Sequence, residues 1–166
     1  MDDKDFLNYF SQLGNKNVDA LKQASNNIVS TLLALDTKVV RRASMDSLED
    51  DEDGKAKSKV ESSIRAKYQQ GDLGAKMTAD LNYALKRLVR GLYSDNHAVK
   101  QGFFLASVMV LNRFKDQIDC SMFLRFIKGE TNTNEGMKNA ERHAMMLGRM
   151  MCYSAIIESG WIKGES

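Results

Sequence analysis

Apolar side chains recur along this chain every third or fourth residue, and no stretch alternates with a period of two. Phe6, Phe10 and Leu13 predict a short helix over 3–13, stopped by Gly14. Leu21, Ala24, Ile28, Leu32 and Leu35 form the stripe of a second helix, from an Asn17 N-cap to about Val40. Its far side, Lys22, Gln23, Asn26 and Ser30, is polar. Residues 60–70 read as a weak helix, followed by Gly71 and Gly74. Thr78 or Asp80 then caps a helix to Leu92 whose core stripe is Leu81, Leu85, Leu88 and Leu92. Beyond the turn residues Ser94-Asp95-Asn96, the helix over 98–114 is apolar on all sides and should lie between neighbours. Asp119 caps a further helix through Ile127, ended by Gly129. The last helix spans 138–159, with Ala140, Ala144, Leu147, Met151 and Ala155 on one stripe and Gly160 as its C′ residue.

The fold class is therefore all-α. Antiparallel helix pairs with short turns suit a bundle or a HEAT/armadillo-like α-solenoid fragment. The pattern fails only over 42–59, where the acidic run Glu49–Asp53 and Gly54 precede Lys55, Lys57 and Lys59. Nothing there can bury apolar surface, so a disordered loop is expected. It divides the chain into N-terminal helices (1–41), an acidic/basic loop (42–59) and a helical-repeat segment (60–166).

Composition sharpens this picture. The 166 residues include no proline, which favours long unbroken helices and excludes polyproline ligands. Lys and Arg number 24 against 22 Asp and Glu, a net charge of +2. Bulk charge therefore does not drive nucleic-acid wrapping, and any such contact needs a local basic face. Cys120 and Cys152 are too few for a disulfide framework or a zinc site. The N-terminus lacks a signal-peptide core, and the longest near-apolar run, Gly102 to Leu111, is about half a membrane span. A soluble, intracellular, reduced protein is expected.

The candidate chemistry is sparse. Nucleotidyl transfer needs carboxylates on a rigid scaffold to hold two metals, and the dense acids lie in the loop. Gly71 and Gly74 lack the Gly-Lys-Ser/Thr of a phosphate loop. His97 and His143 have no partner at ligand spacing. No enzyme activity, cofactor or metal is expected. Met145, Met146, Met150 and Met151 suit core packing better than a plastic binding surface. Arg41-Arg42-Ala43-Ser44 has the form of a basophilic kinase site, and Ser47 before Leu48-Glu49-Asp50 that of an acidophilic one. Arg41 and Arg42, then Lys55, Lys57 and Lys59 beyond a spacer, have the form of a bipartite nuclear-import signal; the alternative is a charge-balanced loop. Tyr83, Lys86, Arg87 and Arg90 fall within about 100° on the back of the 78–92 helix. That face reads as a solvated back, as a contact for RNA phosphates with Tyr83 stacking, or as a contact for partner carboxylates.

Tyr83, Lys86-Arg87-Leu88 and Gly91-Leu92 together resemble the opening segment of the DNA polymerase phi family. Gly102-Phe103 agrees with the family's next helix, and Leu147-Gly148-Arg149 with Ile157 to Gly160 is similar to a later one that ends in Ser-Gly. Leu13 to Leu35 is similar to its first helix, whereas Asp95-Asn96-His97 replaces a serine-and-arginine turn. The resemblance implies a nucleolar helical-repeat protein acting in ribosomal RNA transcription and ribosome biogenesis, with DNA binding and transcription regulation as family attributes. It implies pre-ribosomal RNA or particles, or transcription-factor proteins, as partners, with no membrane and no small-molecule substrate. Family members are several times longer, so it also implies an N-terminal fragment, a short form or an incomplete gene model. The alternative is a phosphorylation-regulated helical adaptor that binds a partner protein's helix in a groove.

Overall fold

The computed structural model describes residues 3–46, 73 and 77–162, and among them every regular element is a helix. They are α1 (Asp3–Gln12), α2 (Val18–Asp46), α3 (Ala79–Leu92), α4 (His97–Phe114), α5 (Cys120–Glu130) and α6 (Asn139–Glu158). The expected weak helix over 60–70, the acidic run and residues 47–59 of the expected loop lie outside the described residues.

Local chemistry sets most helix starts. The Asn17 side chain accepts from the Asp19 N–H at 2.8 Å, Thr78 from Leu81 at 3.3 Å, Asn96 from Ala98 at 3.0 Å and Asp119 from Met122 at 3.0 Å. Each satisfies a backbone donor that the first helical turn leaves open, an effect worth about 1 kcal/mol. At the other end of the chain Gly160 takes φ 68°, the left-handed C′ position its sequence context predicts.

The predicted core stripe of α3 is met in full: Leu81, Leu85, Leu88 and Leu92 are all buried, joined by Ala84 and Val89. Each such leucine contributes about 1.5–3 kcal/mol by leaving water. α4 is the hub, packed against α2, α3 and α6, which explains its apolar character on all sides. The N-terminal segment shares this core through Phe6, Phe10, Leu13, Ala24, Ile28 and Leu32. Leu73 and Met77, which no helical stripe marks, are also buried, and the Leu73 carbonyl accepts from the Asp119 N–H at 2.9 Å.

Three boundaries or faces differ from the sequence expectation. α2 continues past Val40 to Asp46 instead of giving way at Arg42. Its apolar stripe has run out by then, but Arg41, Arg42, Ala43 and Met45 are strong helix formers and no glycine interrupts them. α5 runs through Gly129 to Glu130, and Thr131 closes it, with its hydroxyl donating to the Ile127 carbonyl at 2.6 Å. α6 is rotated about its axis: Gly148, Cys152, Ala155 and Ile156 face the core, Ala140 and Leu147 are exposed, and Ala144 and Met151 are half-buried. The cause is Gly148, where a Cβ would lie 2.6 Å from the Tyr93 Cβ; only the glycine side of α6 can come so close.

Candidate functional site

The structure brings Tyr83, Lys86, Arg87 and Arg90 together on one side of α3, and it gives each of them a partner within the fold. Arg87 is half-buried. Its guanidinium carbon stands 5.0 Å from the centroid of the buried Phe10 ring, and its Nη1 donates to the Tyr83 hydroxyl at 2.9 Å. Tyr83 itself meets Phe10 edge-on, with ring centroids 6.5 Å apart. Arg87 Nε is buried without a hydrogen-bond acceptor, so the cation–π contact with Phe10 is the main compensation for its desolvation. Lys86 Nζ lies over the Phe126 ring of α5 at 6.0 Å.

Arg90 closes on α5. Its Nε donates to Glu130 Oε2 at 2.7 Å and its Nη2 to Oε1 at 3.3 Å, a two-pronged pair. The Tyr93 hydroxyl donates to the same Oε2 at 3.4 Å. The hydrogen bond from Arg90 holds the Glu130 carboxyl below the usual carboxylate range, and the same bond and the Glu130 charge raise the Arg90 guanidinium above its ordinary value. Burial, then the Glu130 charge, pushes the Tyr93 phenol up. A second strut joins α6 to the end of α5: Arg149 Nε donates to Thr131 Oγ1 at 2.8 Å and Nη2 to the Thr131 carbonyl at 2.5 Å.

This arrangement alters what the row can do. A solvated basic face presents mutually repelling cations, whereas here Glu130 neutralises one and two aromatic rings attract the others. Nothing in the sequence marked Glu130, which lies forty positions from Arg90. Of the remaining candidates, the backbone of Arg41, Arg42 and Ser44 lies in the last part of α2, and Ser47, Lys55, Lys57 and Lys59 lie outside the described residues. Cys152 is buried, which pushes its thiol up to about 12; burial also raises Cys120. His97 and His143 are both exposed. Among the described residues no three His, Cys, Asp or Glu side chains are grouped to hold a metal, and no helix is long and apolar enough to cross a membrane.

The outer face of α6 exposes several large apolar side chains. Met146 is 52% exposed, Met150 66% and Ile157 64%, with Tyr153 between them. Met146 and Met150 therefore lie outside the core that sequence reasoning favoured for the methionines. Beside this face Leu124, Tyr153, Ile156, Ile157 and Ile162 line an open groove of about 430 Å³ between α5 and α6.

Three glycines of the sequence motif, Gly91, Gly102 and Gly148, lie in close contact with other parts of the fold. A Cβ on Gly91 would overlap the Phe103 ring, one on Gly102 would overlap the Leu13 carbonyl, and Gly148 lies against Tyr93. These glycines of the motif therefore serve packing: they let the Phe103 ring approach α3, the Leu13 backbone approach α4, and Tyr93 approach α6. No curated protein and no solved structure matches the chain. The model of the DNA polymerase phi family matches residues 83–166, from Tyr83 on α3 through α4, α5 and α6. With more than half of its 166 residues matched, this chain belongs to the DNA polymerase phi family.

Proposed function

We propose that the chain is a non-enzymatic helical scaffold in a nuclear, nucleolar protein that acts in ribosomal RNA transcription and ribosome biogenesis. Its family membership supports that setting. The scaffold reading is carried by the outer face of α6, where Met146, Met150, Tyr153 and Ile157 share one side over three turns of a helix whose other side is in the core. Single exposed apolar residues need no explanation, but a contiguous patch marks an interaction surface. In an α-solenoid the next helical layer takes that position, and in an assembly a partner protein does.

Nucleic-acid contact through Tyr83, Lys86, Arg87 and Arg90 is the lesser reading. A phosphate at Arg90 has to compete with Glu130, and one at Arg87 has to draw the guanidinium off Phe10. The test expresses the tagged full chain in nucleated cells, cross-links it and recovers the associated RNA and proteins. Pre-ribosomal RNA and particle proteins are expected with the wild type. The Met150→Glu, Ile157→Glu double variant, which changes only exposed side chains, should recover several-fold less. A folded wild type that recovers no pre-ribosomal component overturns the proposal.

A further inference from the structure

α5 and α6 pack sparsely against each other, and the groove lies between them. Gly160 shapes it. The left-handed φ of 68° folds the chain back after α6, which sets Trp161 against Phe123 with ring centroids 5.9 Å apart and brings Ile162 to the groove. Side walls of two helices and an apolar floor suit the ridge of a third helix.

The charge around this groove has one sign. Arg125 and Lys128, spaced i, i+3 on α5, are the charged residues that line it, and both are exposed. Lys128 makes no ion pair among the described residues. Asp119, the acid whose carboxylate feels Arg125, is occupied at the N-terminus of α5, where its Oδ1 accepts from the Met122 N–H at 3.0 Å and the Ser121 hydroxyl at 2.7 Å. A second copy of the chain is a poor occupant. The exposed ridge of α6 has acids only at its two ends, Glu141 and Glu158, about 25 Å apart along the helix, so a second copy sets at most one of them against the adjacent pair of cations.

We propose that the groove docks an amphipathic helix of another protein, whose apolar ridge enters between α5 and α6 and whose flanking acidic residues meet Arg125 and Lys128. The apolar floor supplies most of the affinity and the two rim cations supply the choice of partner, because a basic helix leaves like charges face to face. This deepens the scaffold reading by naming the chemistry of one partner. It does not depend on the pre-ribosomal setting, since the experiment below reads the groove alone.

The experiment measures fluorescence anisotropy of two labelled helical peptides added to the full chain. Both carry leucines at i, i+3, i+4 and i+7; one has glutamates flanking that ridge and the other lysines at the same positions. The glutamate peptide should bind about tenfold more tightly than the lysine peptide, as two rim charge pairs allow. The Arg125→Glu, Lys128→Glu double variant should reverse that preference. Ile157→Asp should abolish binding of both peptides while the circular dichroism of the chain is unchanged. Equal binding of the two peptides, or binding indifferent to Ile157→Asp, overturns the proposal. So does a concentration-dependent dimer in sedimentation equilibrium that Ile157→Asp disperses, because the occupant is then a second copy.

Discussion

Gly91 on α3 lies against the ring of Phe103 on α4, so closely that a methyl group on Gly91 would overlap three carbons of the ring. The two residues belong to the same short motif, and their contact is where the two helices cross. Gly91→Ala should therefore destabilise the protein by about 1–3 kcal/mol, the usual cost of overpacking. Gly129→Ala is the matched control: it also lies within a helix, and nothing stands within 4 Å of its added Cβ. That variant should gain about 0.5–1 kcal/mol from helix propensity. Urea unfolding of both variants measures the two signs together.

The Arg90–Glu130 pair should make stability depend on acid. The folded Glu130 carboxyl titrates lower than an unfolded one, near ~4.3. Its contribution is complete above the unfolded value and is lost as pH falls through the folded one. Arg90 is 57% exposed and Glu130 24%, so water still screens the pair and it is worth only about 0.2–1 kcal/mol. Arg90→Gln should remove that increment at neutral pH and flatten the acid limb of a stability–pH curve. A residual limb should persist from Asp119, whose carboxyl is lowered first by the Met122 N–H.

Arg87 and Lys86 should separate in thermal unfolding. Arg87→Gln loses the cation–π contact with Phe10 and the hydrogen bond to Tyr83, a loss of about 1–2 kcal/mol. Lys86→Gln should stay within about 0.5 kcal/mol of wild type. If RNA phosphates bind this row, replacing Lys86, Arg87 and Arg90 together should lower the slope of log affinity against log salt by about two to three. An unchanged slope removes phosphate contact from this face.

The two thiols should differ in reactivity. Cys152 is buried and its thiol is pushed up to about 12, so a disulfide reagent at mildly alkaline pH should label it only in guanidinium. Cys120 is half-buried and raised less, so it should react in the folded protein, more slowly than a free thiol. Mass spectrometry of the labelled peptides assigns the order.

The sequence alone determined what is local. The leucine stripe of α3, the caps at Asn17 and Asp119, and the turn at Gly160 each rest on residues within a few positions of one another, whereas the choice of Thr78 over Asp80 as the cap of α3 was left to the structure. Hydrophobic period and hydrogen-bond chemistry are readable at that range. Gly91, Gly102 and Gly148 were readable as a pattern, but not as the places that lie against Phe103, Leu13 and Tyr93. Tertiary structure decided the rest. Periodicity says which face of a helix is apolar and not which helix it will meet. The rotation of α6 was therefore invisible, because Gly148 adds nothing to a hydrophobic stripe while letting the helix lie against Tyr93. The row on α3 looked like a solvent face because Glu130, Phe126 and Phe10 are remote in sequence, and only folding sets an acid and two rings beside its three cations. The groove between α5 and α6 has the same origin: no single helix contains it, and it exists because two helices diverge while Gly160 turns the chain back across their ends.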